Sequence, residues 1–251
     1  MATINKEELD LLVKKYETRE FIESDPIQFP RLFFEDFQGK PLEWFRNVEI
    51  AAVIASWMAY GSRCVFMKVA KKNIMDVMGD NPADFILNNN DMFKVFAVHE
   101  RKPLYRFYSY ANLVALCMRL KYIYSTYSTI NSFIMSFNGS PLEALIQLFK
   151  GVPGFPKDSK SSCKRLCMLL RWMSRSGSEV DMGMWNIDTS KLIIPLDTHV
   201  MRVSRSLGLI KGREPSMARA VEITEKLRKF DERDPVRYDF ALYGLGIENI
   251  I

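Results

Sequence analysis

The apolar run IAAVIASWMAY, residues 50–60, constrains the fold most strongly. It is too short to cross a bilayer, which takes about 20 apolar residues. It is apolar nearly all round, so it predicts a helix buried among other elements. Apolar residues recur at helical spacing along the rest of the chain, and glycine and proline are sparse. The sequence therefore predicts an all-α fold, with at most a trace of strand in residues 192–196.

Turn-rich stretches divide this pattern into separate helices. The predicted helices span residues 7–16, a short stretch from 25, then 49–60, 63–78, 105–125, 130–137, 141–150, 162–175, 197–207, 216–230 and 235–245. The chain has 251 residues, enough to bury a substantial core. No internal repeat or long linker interrupts it, so we expect one globular domain.

Neither a secretory signal nor a disulfide framework is predicted. The first ten residues, MATINKEELD, carry acids and no apolar stretch. Cys163 and Cys167 lie one helical turn apart, which is poor disulfide geometry. We therefore expect a reducing cytoplasm and no membrane. We also expect no metal, because the cysteines and His99 or His199 lack the usual spacing of zinc ligands.

The positive charge of the chain is concentrated in residues 157–175. The formal net charge is +5, and this segment holds six basic residues and one acid, so the remainder sums to zero. Lys164, Arg171 and Arg175 recur at i, i+7 and i+11, which places three cations on one stripe of a helix. Such a stripe favours an anionic partner, with nucleic acid first. The alternative is a solvated helix face.

The turn before this helix carries groups that suit a phosphate. Lys157 and Lys160 are cations, and Ser159 and Ser161 offer hydroxyls. The helix start adds free backbone N–H groups. We predict that these four residues bind nucleic acid together with the two arginines of the stripe.

The segment LIIPLDTHVMRV, residues 192–203, places an acid at the start of a helix. Asp197 follows a short apolar run that Pro195 breaks, and the helix ends near Gly208. Asp197 either caps the helix only or also takes part in chemistry. The two roles do not exclude each other, because the geometry that caps a helix also fixes the carboxylate.

Taken together, the turn, the helix containing Lys164 and the motif PLDTHVMRV resemble the helix-hairpin-helix DNA glycosylase superfamily. The resemblance implies a two-lobed helical fold with a cleft, residues 48–155 forming one lobe and residues 1–47 with 156–251 the other. More closely, nearly the whole chain is similar to a bacterial family of unknown function. The pattern of that family includes FPK-SKSSCKRL, LRWM and IPLDTH.

The chain departs from the superfamily pattern in three places. The hairpin of the superfamily is glycine-rich, whereas FPKDSKSS, residues 155–162, has no glycine, so the hairpin would be a variant. The gap from Lys164 to Asp197 is longer than in most members, although an archaeal branch specific for oxidised guanine has a comparable insertion. No four-cysteine cluster closes the chain, which excludes an iron–sulfur centre.

The resemblance implies excision of a damaged base, with oxidised bases as candidates. Lys164 would attack the sugar carbon that bears the base and form a Schiff base with the opened sugar. Asp197 would stabilise positive charge on the sugar and help deprotonate the lysine. No cofactor is needed for this reaction.

Four residues are candidates for a base pocket. By the resemblance, Tyr60 lies in a turn that approaches the flipped nucleotide. Trp172 and Trp185 could stack on a base, although such residues more often belong to the core. Trp185 could instead pin the polar insertion 176–191 to the body. His199 is expected to have a mainly structural role.

Three functions stay open from the sequence. The first is a monomeric, nucleoid-associated DNA glycosylase with AP lyase activity, which acts on duplex DNA with a lesion or an abasic site. The second is a non-catalytic nucleic-acid-binding protein on the same scaffold. The third is an unrelated helical protein that docks an acidic partner through residues 157–175. Both Lys164 and Asp197 are present at helix starts, which favours the first.

Overall fold

The protein is almost entirely helical in a computed structural model, which describes residues 4–37, 39–88, 92–99, 101–212 and 214–248. In chain order the elements are α1 (Lys6–Tyr16), α2 (Gln28–Glu35), α3 (Pro41–Met58), α4 (Arg63–Ala70), a π-helical turn (Lys71–Met75), α5 (Asp76–Met78), α6 (Pro82–Leu87), α7 (Met92–Ala97), β1 (Pro103–Tyr105), β2 (Tyr108–Ser109), α8 (Tyr110–Thr126), α9 (Ile130–Ser136), α10 (Pro141–Leu148), α11 (Lys164–Ser174), a 3₁₀ turn (Thr189–Lys191), α12 (Thr198–Ser206), α13 (Met217–Arg228), a second 3₁₀ turn (Pro235–Tyr238) and α14 (Asp239–Ile247). The predicted all-α class is confirmed.

By its internal contacts the chain divides into two compact units. Unit 1 comprises residues 1–23, 139–146 and 156–251, and unit 2 comprises residues 24–138 and 147–155. Residues 24–47, which the sequence analysis grouped with the C-terminal part, therefore lie in unit 2.

Unit 2 is built around α3, whose residues 47–58 are all buried, as the apolar run predicts. One buried residue on α3 is charged. The carboxylate of Glu49 accepts hydrogen bonds from the backbone N–H groups of Ile130 (2.9 Å) and Asn131 (3.1 Å). It thereby gives hydrogen-bond partners to two N–H groups in the first turn of α9, which have none within the helix. At the other end of α3, Trp57 stacks on Tyr108 with ring centroids 4.0 Å apart.

The segment before α8 differs from the prediction. A helix was predicted over residues 105–125, but α8 begins at Tyr110, and a two-stranded antiparallel hairpin precedes it. Ser109 caps α8 in a capping box with Asn112. The strands are too short for an alternation of apolar and polar residues to be recognised in the sequence.

Unit 1 packs α1, α12, α13 and α14 with the amphipathic α11. Gly244 permits the close approach of α14 to α1, because a Cβ atom there would lie 2.4 Å from the ring of Tyr16. The strand suggested for residues 192–196 does not form. Instead, the N–H of Ile194 donates to Thr224 Oγ1 over 3.0 Å. A hydroxyl of α13 therefore accepts the backbone hydrogen bond that a neighbouring strand would otherwise accept. Within the described part of the chain, no helix combines the length and the apolar character that a membrane crossing needs.

Candidate active site

The site is built on the N-termini of α11 and α12 in unit 1. Lys164 is the first residue of α11, and its side chain is 35% exposed. The preceding residue, Cys163, has φ 48° and ψ 30°, a left-handed conformation that is uncommon for a residue with a side chain. Ser162 Oγ donates to the carbonyl oxygen of Leu196 over 3.2 Å, which ties this turn to the residue before Asp197.

Asp197 caps α12, as the sequence predicts, and its second carboxylate oxygen faces Lys164. Its Oδ1 accepts from the backbone N–H groups of His199 and Val200, each over 2.9 Å, and so caps α12. Its Oδ2 lies 3.2 Å from Nζ of Lys164. One oxygen is therefore fixed by the backbone, and the other is left facing the amine. The carboxylate is only 13% exposed, so it sits in a largely water-poor environment.

A second carboxyl lies behind this pair. Asp239, the first residue of α14, is 5% exposed and forms an ion pair with Arg171. Burial raises the pKa of Asp239 to about 6, although Arg171 opposes the shift. The charges of Asp197 and Lys164 also act on this carboxyl, the first raising its pKa and the second lowering it. The lysine–aspartate pair is thus electrostatically coupled to the interior of unit 1.

The prediction that Arg171 and Arg175 lie on an exposed nucleic-acid-binding stripe is wrong. They are 4% and 5% exposed. Nη1 of Arg175 lies 2.6 Å from Asp181 and 2.7 Å from Glu17, and its Nε lies 2.8 Å from Asp234. Buried guanidinium groups require such partners. Neither arginine can reach a phosphate in this conformation.

The polar insertion 176–191 completes this buried ion network. Its residue Asp181 is buried and pairs with Arg171 of α11 and with Arg175, which follows the last residue of that helix. The N–H groups of Met182 and Trp185 donate to the carbonyl oxygens of Trp172 (2.7 Å) and Met173 (2.6 Å). The insertion is therefore fixed along the C-terminal half of α11, and Trp185 helps to pin it there.

The four candidates for a base pocket have different surroundings in their own units. Trp172 and Trp185 are 0% and 2% exposed, so neither presents a face on which a base could stack. His199 has a structural contact, since its Nδ1 donates to the carbonyl oxygen of Gly246 over 3.2 Å. Tyr60 belongs to unit 2, where its hydroxyl binds backbone atoms of the hairpin.

The four residues predicted to bind phosphate are exposed. Lys157, Ser159, Lys160 and Ser161 all lie on the surface of unit 1 just before α11. Asp158 shapes this turn, because its Oδ1 accepts from the N–H of Lys160 over 3.0 Å. No side chain caps the start of α11. The turn thus offers cations, hydroxyls and backbone donors on one accessible surface.

The cysteines and acids suggest no metal centre. Cys64, Cys117, Cys163 and Cys167 are free thiols, and burial raises the pKa of Cys167. Across the described residues, no cluster of three or more histidine, cysteine, aspartate or glutamate side chains could hold a metal ion.

Comparison with protein families gives one match. Residues 25–248 match the model of DUF2400, a protein family of unknown function. The chain belongs to this family. No curated protein and no solved structure matches the chain. The Lys164–Asp197 pair lies within the matched region of this DUF2400 member, and so does most of the buried ion network.

Sequence reasoning missed the acids of that network in this DUF2400 protein. Asp234 and Asp239 are far from α11 in sequence, Asp181 follows Arg175 by six residues, and Glu17 lies before the matched region. One signal was available. Arg171 is embedded in the apolar stretch MLLRWM, where a charged residue implies a buried partner.

Proposed function

We propose that this protein is a DNA glycosylase with AP lyase activity, in which Lys164 is the nucleophile and Asp197 its acidic partner. The observation that carries the proposal is the 3.2 Å approach of Lys164 Nζ to Asp197 Oδ2 at two helix starts. A stabilising surface ion pair alone would not need a carboxylate held by two backbone donors. The proposal includes a two-lobed, glycosylase-like fold with a variant hairpin and a cleft.

The chemistry follows from these two groups. Asp197 accepts a proton from the ammonium of Lys164, and the free amine attacks the sugar carbon C1′. The bond from C1′ to the base breaks, and the base leaves with the bonding electrons and takes up a proton. The C1′–O4′ bond then breaks, O4′ takes up a proton that the attached nitrogen releases, and an imine forms between Nζ and C1′. Loss of a proton from C2′ and departure of the 3′ phosphate oxygen cut the strand.

The partner is duplex DNA that carries a lesion or an abasic site. The exposed turn with Lys157 and Lys160 supports this choice, because cations, hydroxyls and helix N–H groups together suit a phosphate backbone. Burial of Arg171 and Arg175 removes two cations from the surface that residues 157–175 can offer to DNA. We expect modest affinity that falls steeply with salt.

Borohydride trapping tests the proposal. The protein would be incubated with duplex DNA containing an abasic site or 8-oxoguanine and then reduced. We expect a covalent adduct with the native protein and none with Lys164→Ala, while Lys226→Ala serves as a matched control because Lys226 is an exposed lysine of α13 in the same unit, outside the proposed binding surface. A folded protein that binds DNA but gives no adduct on any lesion would instead support a non-catalytic nucleic-acid-binding protein. An adduct that persists in Lys164→Ala would also contradict the assignment.

A further inference from the structure

The hairpin of unit 2 presents one aromatic ring to solvent. Tyr105 pairs with Tyr108, so Arg106 and Phe107 form a two-residue loop at its tip. The Phe107 side chain is 86% exposed, which is the highest value among the large apolar side chains of the described residues. A single exposed apolar residue is common on protein surfaces. Phe107 differs from such residues in two ways: hydrogen bonds to Tyr60 hold its loop, and cationic side chains lie near it in sequence.

The tip is held in place from below by Tyr60. The hydroxyl of Tyr60 accepts from the N–H of Phe107 over 3.1 Å and donates to the carbonyl oxygen of Tyr105 over 3.2 Å. In return, the hydroxyl of Tyr105 donates to the carbonyl oxygen of Tyr60 over 3.0 Å. These bonds fix the backbone of the loop, so the position of the Cα and Cβ atoms of Phe107 is set before any partner binds.

The backbone of the loop is also unusual. Arg106 has φ 51°, in the left-handed region that residues with side chains seldom adopt. Gly61 makes room for it, because a Cβ atom there would lie 2.4 Å from Nη1 of Arg106. A strained residue persists only where its surroundings fix it. The loop is therefore a rigid support for Phe107.

The surroundings of the ring are basic. Residues 101–110 hold three cations and no acid, and Arg101, Lys102 and Arg106 are all exposed. Within the described parts of the chain, no carboxylate forms an ion pair with any of the three. The guanidinium of Arg106 lies 6.0 Å from the centroid of the Phe107 ring. An exposed ring with cationic side chains beside it suits a base with its neighbouring phosphates.

Other partners fit this tip less well. Leu104, Tyr105 and Tyr108 are each only 6% exposed, so the exposed apolar surface of the hairpin consists of the Phe107 ring and Pro103. Membrane-binding elements bury a broad apolar face, and protein interfaces surround their central aromatic residues with further contacts. One ring is enough for a stack with one base.

We propose that Phe107 is a nucleobase-stacking residue, which contacts an unpaired or unstacked base while Arg101, Lys102 and Arg106 bind adjacent phosphates. The inference rests on the proposed function for the class of partner. The site itself is argued from unit 2 alone.

Fluorescence and binding measurements test this role. The probe is duplex DNA with a tetrahydrofuran abasic site opposite 2-aminopurine, compared at low salt with the intact duplex and with a single strand. We expect Phe107→Ala to weaken binding to the abasic duplex and the single strand by about tenfold, the scale of one lost base–aromatic stack. It also abolishes the protein-induced change in 2-aminopurine fluorescence. Phe107→Trp preserves both.

The control is Met135→Ala, which removes another exposed apolar side chain of unit 2, 55% exposed. It should change neither readout. Equal binding by Phe107→Ala and the native protein on every probe would overturn the proposal. Binding to vesicles of anionic lipid with the same dependence on Phe107 would overturn it in favour of a membrane surface.

The trapping assay separates this inference from the proposed function. If the stacking effect is present and no lysine adduct forms, the inference stands and catalysis does not. If a lysine adduct forms and Phe107→Ala binds as tightly as the native protein, catalysis stands and the stacking inference does not. A protein that binds no nucleic acid at low salt contradicts both.

Discussion

The two halves of α11 place their cations in opposite environments. At the N-terminus Lys164 is one-third exposed and meets a single carboxylate, whose second oxygen is occupied with backbone donors. At the C-terminus Arg171 and Arg175 are buried among several carboxylates. The two ends of the helix thus differ, since its first turn presents a partly exposed amine and its later turns carry guanidinium groups that hold segments of unit 1 together. A stripe of like charges in a sequence does not distinguish them.

The largest expected effect comes from breaking the buried half. Arg175→Ala leaves Glu17, Asp181 and Asp234 without their shared cation, so we expect a loss of about 3–5 kcal/mol in the free energy of unfolding. Lys164→Ala should cost about 1 kcal/mol or less, because that pair is partly solvated. Denaturant unfolding of both variants measures the difference. Equal losses would show that the two halves do not differ as described.

The pH dependence of stability tests the buried half of α11 in a second way, through Asp239, which pairs with Arg171. Burial raises the pKa of Asp239 to about 6 in the folded protein, above its unfolded value. Its stabilising contribution is therefore complete below about pH 4 and is lost as the pH rises through about 6. Relative to Asp239→Asn, the native protein should lose up to about 3 kcal/mol of unfolding free energy between pH 4 and pH 7.

Asp188, in the insertion 176–191, offers a control for which the free energy of unfolding should change with pH in the opposite direction. Hydrogen bonds from Ser190 lower the pKa of the exposed Asp188. The native protein should therefore gain stability relative to Asp188→Asn as the pH rises through the acidic range. If the free energies of unfolding of the native protein and Asp239→Asn changed equally with pH, the raised pKa of Asp239 would be contradicted.

The smallest effect separates the two roles of Asp197. Asparagine caps a helix about as well as aspartate, whereas alanine does not. We expect Asp197→Ala to lose about 1 kcal/mol in the free energy of unfolding and Asp197→Asn to lose little. Both should fail in the trapping assay, because neither retains the carboxylate that faces Lys164. Full trapping by Asp197→Asn would reduce this residue to a cap.

Most of the helices could be predicted from the sequence, because a buried face repeats with the period of the helix. The apolar run in α3 and the amphipathic pattern of α11 are examples. The approach of Lys164 to Asp197 was expected only from the resemblance of their two motifs to a known superfamily. Periodicity alone places each residue on its helix and not beside the other.

The rest could not be predicted for identifiable reasons. The hairpin before α8 has strands of two and three residues, and its loop depends on Tyr60 and Gly61 from another part of unit 2. The burial of Arg171 and Arg175 depends on acids contributed by distant segments. Pairings between residues far apart in sequence leave no local pattern, so a helical stripe of cations indicates a surface until its partners are known.

The contact between Arg175 and Glu17 has a consequence for synthesis of the chain. Glu17 follows α1, whereas Asp234, which binds the same guanidinium, lies far later in the sequence. All of unit 2 leaves the ribosome between them. Since domains fold as units while the chain emerges, we expect α1 to stay without its partners in unit 1, exposed to chaperones and proteases, until residue 234 has been made.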